Sequence, residues 1–187
     1  MAHIKVLPET FHYVSFDAAR IAEIASLVAD SIGFAPDDEI TIEVDERTPF
    51  GRSRVLSFTP LHIQFESGAF ENSKKPRHLA EKGTTESLGV VLHRALDRRS
   101  PEFADAPPDE DLTVAQRVAW DAWAAGRCAR KGWEISKPRR HYHFRARHGF
   151  SDAADASFEK IWTADSLSWA ELSSLSGELA SRQIMGG

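Results

Sequence analysis

Residues 39–66 read EITIEVDERTPFGRSRVLSFTPLHIQFE, and this stretch decides the class of fold. Its first part alternates apolar and polar residues with a period of two, as in a half-buried strand, and the apolar members are Ile40, Ile42 and Val44. TPFG follows as a turn, and a second strand is predicted at residues 54–58. LHIQFE is a third strand that places Leu61, Ile63 and Phe65 on one face. Three short strands predict a small, mainly antiparallel sheet.

Helical patterns flank these strands on both sides. Residues 17–32 have apolar side chains at helical spacing, with Asp17 as N-cap and Gly33 as the stop. The polar residues 67–83 are expected to form a long loop. A helix follows over residues 84–99, capped by Thr84 or Thr85.

Further helices are predicted in the C-terminal half. Thr113 and Gln116 form a capping-box pair that opens a long helix ending near Gly132. Ser151 is expected to cap a helix through Trp162, and Ser168 with Glu171 opens a last helix to about Ser181. Periodicity leaves open whether KPRRHYHFRARH, residues 137–148, is a strand or a helix. Five tryptophans are expected to pin these helices together, and these are Trp120, Trp123, Trp133, Trp162 and Trp169.

The predicted architecture is therefore α+β, with a small sheet covered by helices and with additional C-terminal helices. An α+β body is expected over residues 1–132, and a basic segment and helices over residues 133–187 are expected to pack on the same domain. A chain of 187 residues with 42% apolar side chains can build such a core without disulfides. Its single cysteine, Cys128, is expected to be a small core residue.

Composition also bounds the setting in which the protein works. The single cysteine points to a reducing, cytoplasmic compartment. The N-terminal sequence has no apolar signal core, and no stretch approaches the length of a membrane span, so neither secretion nor membrane insertion is expected. Phosphate-binding glycine loops and nucleophile-elbow serines are missing from the sequence, which disfavours common nucleotide and ester hydrolysis.

Charge is distributed unevenly along the chain. The formal net charge is -5, but residues 127–148 carry eight lysines and arginines against one acid, Glu134. That segment therefore has a formal charge of +7, and the rest of the molecule has -12. An electropositive face on an acidic body is expected, which either attracts an anion or neutralises neighbouring acidic groups.

Residues 93–97 read His-Arg-Ala-Leu-Asp, in the helix that follows the predicted sheet. With the order of the elements, they resemble zincin-like metallopeptidase-related domains over about residues 17–132. In those families this helix carries H-E-x-x-H, in which two histidines share a zinc and the glutamate activates the bound water. Here His93 occupies the first position, Arg94 replaces the glutamate, and Asp97 replaces the second histidine. The resemblance therefore implies the fold without its water-activating machinery.

Two interpretations of His93 and Asp97 follow. In one they are an ordinary pair on the helix surface, the aspartate accepting from the imidazole one turn away. In the other they retain a metal, with zinc as cofactor and a hydrolytic, peptidase-like role. Gln116, near the start of the following helix, would be a poor third ligand, and its capping box already explains it.

The basic segment is the second candidate site. Its candidate anion- or nucleic-acid-binding residues are Arg139, Arg140, His141, His143, Arg145 and Arg147. On a strand, four of them would form one ridge, backed by Tyr142 and Phe144 pointing inward, and the ridge would suit phosphates. The alternative is a solvated basic face without a ligand.

The sequence therefore predicts a cytosolic, non-hydrolytic binding or regulatory protein without a cofactor. It would engage a protein partner through the basic segment or through the predicted loop at 67–83. The alternatives are a metal-dependent hydrolase using His93 and Asp97, and a nucleic-acid- or phosphate-binding protein using residues 127–148. No membrane partner is expected, and the sequence leaves the oligomeric state open.

Overall fold

The structure, a computed structural model, describes residues 1–185, and their side chains as far as residue 177. Six strands lie in the first half of the chain, and they are β1 (His3–Leu7), β2 (Glu39–Asp45), β3 (Ser53–Phe58), β4 (Leu61–Glu66), β5 (Glu71–Asn72) and β6 (Lys75–Leu79). The α-helices of the described residues are α1 (Ala18–Ile32), α2 (Glu81–Asp97), α3 (Val114–Arg130), α4 (Lys137–His148), α5 (Asp152–Thr163) and α6 (Trp169–Met185). The protein is thus α+β, as predicted.

The chain forms two compact units, which divide near the C-terminal end of α2. The first unit is Met1–Ala95 and holds both sheets, and the second begins at Leu96 and is helical. None of the helices within residues 1–185 is long and apolar enough to cross a bilayer.

The main sheet is mixed, which corrects the prediction of a mainly antiparallel sheet. Its strand order is β1-β2-β4-β3, and only β3 and β4 pair antiparallel, while β1 with β2 and β2 with β4 are parallel. Two features produce this topology. The first is β1, which the sequence analysis missed and which α1 connects to β2 as a parallel crossover. The second is the edge position of β3, which leaves the place beside β2 to β4.

The core of the first unit follows the predicted periodicities. The alternating residues of β2 and β4 are at most 3% exposed, and they are Ile40, Ile42, Val44, Leu61, Ile63 and Phe65. Helix α1 packs against β1, and it starts and stops as predicted. The Asp17 carboxylate accepts from the Ala19 N–H at 2.9 Å, and Gly33 ends the helix with a left-handed φ of 101°.

Residues 67–83 are not the long loop that their polarity suggested. They contain a 3₁₀ turn, the two-stranded β5–β6 ladder and the first turn of α2. The Glu71 carboxylate orders this segment, because it accepts from the Ser67 hydroxyl at 2.7 Å and from the Arg77 N–H at 3.0 Å. The predicted caps Thr84 and Thr85 are also wrong, since α2 already begins at Glu81 and Thr84 is buried.

The second unit is a group of helices in which α3 packs against α4, α5 and α6. The capping box is confirmed, because Thr113 Oγ1 accepts from the Gln116 N–H at 3.1 Å and the Gln116 side chain accepts from the Thr113 N–H at 3.0 Å. Ser151 and Ser168 cap α5 and α6 as predicted. Of the five tryptophans, four are buried and Trp133 is half-buried, and Cys128 is fully buried.

Gly126 sets the approach of α3 to the end of α5. A Cβ at this position would overlap the carbonyl oxygen of Trp162 and lie 3.2 Å from its Cα. We therefore expect Gly126→Ala to cost about 1–3 kcal/mol of unfolding free energy, as overpacking does, despite the better helix propensity of alanine. Urea denaturation followed by circular dichroism measures this change.

Gly177→Ala is the matched control, since Gly177 lies within α6 and has nothing within 4 Å of its Cβ position. It should stabilise the protein by about 0.5–1 kcal/mol. Equal effects of the two substitutions would contradict the close packing at Gly126.

Candidate functional site

His93 and Asp97 lie one turn apart near the end of α2, but they do not form a pair on its surface. They are only 6% and 8% exposed. The Asp97 carboxylate accepts two parallel hydrogen bonds from the Arg127 guanidinium, at 2.7 Å and 2.6 Å. It accepts a third from the Trp120 indole N–H, at 2.7 Å. The surface-pair interpretation of Asp97 is therefore wrong, and the residue is an anchor for α3.

Aromatic rings enclose this ion pair. The Arg127 guanidinium carbon lies 3.7 Å from the centroid of the Trp123 ring, in a cation–π contact. Phe103 stacks on Trp123 at 5.7 Å and on Trp120 at 4.9 Å. Arg127 thus belongs to the interior of the second unit, although in the sequence it is the first residue of the basic segment.

This donor set does not fit zinc. Both Asp97 oxygens are committed to a cation and an indole, and Arg94, which cannot take a proton from bound water at neutral pH, is in the glutamate position. Within residues 1–185 the structure brings together no group of three histidine, cysteine or acidic side chains that could hold a metal ion. Gln116 is occupied by its capping box.

A pocket of about 410 Å³ lies beside the ion pair, and several acidic side chains line it. Most of these carboxylates already serve the fold. Glu102 accepts from the Ser100 hydroxyl, and Glu171 accepts from the Ser168 N–H at 2.8 Å as part of the α6 cap. Three of its four carboxylates, those of Asp97, Glu102 and Glu171, are therefore already engaged in contacts within the second unit.

Residues 137–148 form helix α4, which settles the question that periodicity left open. Ser136 caps the helix, accepting from the Arg139 N–H at 3.4 Å, and Pro138 lies in its first turn. Gly149, with a φ of 98°, ends it. The helix separates the candidate residues onto two faces, so the ridge expected from a strand does not exist.

The inner face of α4 is neutralised by α5. His141 Nε2 lies 2.7 Å from the Asp155 carboxylate, which also accepts two hydrogen bonds from Arg145. The Arg145 guanidinium, followed by His141, holds the pKa of the Asp155 carboxyl well below its usual range. Lys137 pairs with Glu159 at 2.9 Å. Two of the six candidate anion-binding residues, His141 and Arg145, therefore already pair with an acid of α5.

The outer face of α4 is exposed and cationic. Its members are spaced three, four, seven and eight residues from the first and are all exposed, and they are Arg139, Tyr142, His143, Ala146 and Arg147. Neither Arg139 nor Arg147 makes an ion pair within the described part of the chain. Arg140 is half-buried at the side of this face. Three of the six candidate residues thus remain on one accessible surface.

Two aromatic side chains complete this surface, and the sequence analysis turned one of them inward and did not consider the other. Tyr142, expected to point inward, is 61% exposed, whereas Phe144 is buried as expected. The turn at Gly149 brings Phe150, which is 66% exposed, beside Tyr142 with ring centroids 6.0 Å apart. Helical spacing from Arg139 would have found Tyr142, but only the turn places Phe150.

Comparison with protein-family models, curated proteins and solved structures gave no match. The resemblance to zincin-like domains therefore stays a prediction from the order of elements and residues 93–97.

The substitution Asp97→Ala tests how much the ion pair with Arg127 contributes to stability. It leaves the largely buried Arg127 guanidinium without its carboxylate, and breaking a buried pair from one side costs about 3–5 kcal/mol. Adding Arg127→Met should recover part of this loss, because no buried charge then remains. Denaturant titration of the wild type and both variants measures the cost, and a loss below about 1 kcal/mol for Asp97→Ala would show that the pair is dispensable.

We expect the buried His148 to make the free energy of unfolding depend on pH. It is 3% exposed, its Nε2 lies 3.1 Å from Ser176 Oγ, and burial lowers its pKa below the ordinary value of 6.5. The unfolded chain therefore binds a proton at a higher pH than the folded one. The free energy of unfolding should fall as the pH drops from about 6.5 towards the folded pKa, by at most about 1.4 kcal/mol per pH unit.

The matched comparison is His148→Gln, which should flatten this pH dependence, with His3→Gln at an exposed position of β1 as a control that retains it. Chemical denaturation at several pH values between 7 and 5 measures the slopes. An unchanged slope in His148→Gln would assign the effect to another group.

Proposed function

We propose that this protein is a non-hydrolytic binding protein that engages a polyanionic partner through the outer face of α4. One observation carries the proposal. Arg139, His143 and Arg147 share an exposed helix face, and the two arginines make no ion pair within the described residues. Exposed guanidinium groups hold phosphates and carboxylates by paired hydrogen bonds.

The distribution of charge supports this face over others. Helix α4 contains five lysines and arginines and no acidic residue, whereas the chain outside residues 127–148 has a formal charge of -12. A polyanion is therefore repelled by most of the molecule and attracted at α4, which favours one orientation of binding.

Our proposal takes the zincin-like resemblance as one of fold, without zinc binding or activation of water. Arg94 replaces the general base, and Asp97 is held by Arg127 and Trp120. We accordingly assign no metal and no bond cleavage to this protein, and we place it in the cytosol on its cysteine usage.

Binding of a labelled abasic deoxyribose-phosphate strand tests the proposal, because this probe has phosphates and no bases. If two or three phosphates are neutralised, the affinity should fall about 7- to 20-fold for a fourfold rise in salt. Arg139→Ala and Arg147→Ala should each reduce the slope of log K against log salt by about 0.7. Fluorescence anisotropy at several salt concentrations gives these slopes.

Arg54→Ala is the control, since Arg54 is an exposed arginine on β3 of the first unit, and it should leave the slope unchanged. Salt-independent binding, or equal losses in all three variants, would contradict the proposed face. The competing hydrolase would reveal itself differently, as zinc-dependent peptide cleavage that is lost in His93→Ala.

A further inference from the structure

We infer that the polyanion is a single-stranded nucleic acid whose unpaired bases stack on Tyr142 and Phe150. The inference rests on the proposed function of α4, and it adds the class of partner. Arginines alone would suit any polyanion, whereas two exposed aromatic rings between and beside them select a ligand that offers aromatic faces.

The two rings expose apolar surface to water, which is unfavourable unless a ligand covers it. Tyr142 and Phe150 are 61% and 66% exposed, and they contact each other edge to face with an interplanar angle of 66°. The guanidinium carbon of Arg145 lies 5.9 Å from the Phe150 centroid, and this cation–π contact helps to hold the ring in place. The Tyr142 and His143 ring centroids lie 6.3 Å apart, and on the helix Tyr142 is three residues from Arg139, which places it on the same face.

The length of this surface matches a short run of nucleotides. Arg139 and Arg147 are eight residues apart on α4, a distance of about 12 Å along a helix that rises 1.5 Å per residue. A stacked strand advances about 3.4 Å per nucleotide, so this span covers about three to four nucleotides. Phosphates held by the terminal arginines would leave the intervening bases over the rings.

The same geometry disfavours the other polyanions. A duplex keeps its bases stacked on one another, so it can offer the arginines its phosphates but cannot cover the rings. An acidic peptide would leave both rings in water. A membrane-binding helix needs a continuous apolar face turned to the lipid, whereas the outer face of α4 sets Tyr142 among two arginines and a histidine.

The test compares two strands of equal length and charge, one with thymine bases and one abasic, in fluorescence anisotropy with the full chain at constant salt. The wild type should bind the base-bearing strand more tightly. Tyr142→Ala and Phe150→Ala should each weaken binding of that strand about 5- to 150-fold and leave binding of the abasic strand unchanged. Tyr142→Phe should retain the wild-type affinity, because it keeps the ring.

The other outcomes separate the stacking inference from the proposed function. Equal affinities for the two strands would overturn the stacking inference and leave the proposed function standing, whereas no binding of either strand at low salt would overturn both. Binding of a duplex of the same sequence as tightly as the single strand would also overturn the inference. So would binding to vesicles of anionic phospholipid in the absence of strand binding.

Discussion

The buried ion pair between Asp97 and Arg127 is the interaction on which the helical unit depends. Two guanidinium hydrogen bonds and the Trp120 indole N–H satisfy the carboxylate, and Trp123 covers the cation. In a partly dry interior each charge is tolerated only because the other is there, so neither can be removed alone. The same hydrogen bonds occupy both Asp97 oxygens, so that they are not available to a metal ion. For this reason our proposal gives the protein no peptidase-like role.

Helix α4 divides its cations between a face that pairs with α5 and a face that is exposed. On the inner face, Asp155 and Glu159 of α5 neutralise His141, Arg145 and Lys137, which fastens the two helices. On the outer face the described residues provide no comparable carboxylates for Arg139 and Arg147. A run of basic residues that is uniform in the sequence therefore becomes two surfaces, one paired and one exposed, because a helix completes a turn every 3.6 residues.

Much of the fold was predictable because it is encoded locally. The alternation in β2 and β4, the Asp17 cap and the Thr113–Gln116 capping box depend on neighbouring residues alone, and the structure confirms them. Strand direction and the β5–β6 ladder depend on partners distant in sequence. Glu71 orders the polar residues 67–83 through hydrogen bonds to Ser67 and Arg77, and composition does not reveal such bonds.

The sequence by itself determined the α+β class, most helix ends, the burial of four of the five tryptophans and the presence of a strongly basic segment. Tertiary structure alone decided which of those basic residues are accessible. Arg127 and Arg145 have the same charge as Arg139 and Arg147, but they are held by Asp97 and Asp155, 30 and 10 residues away in the chain. Residue type fixes a charge, whereas its availability depends on which opposite charge the fold places within hydrogen-bonding distance.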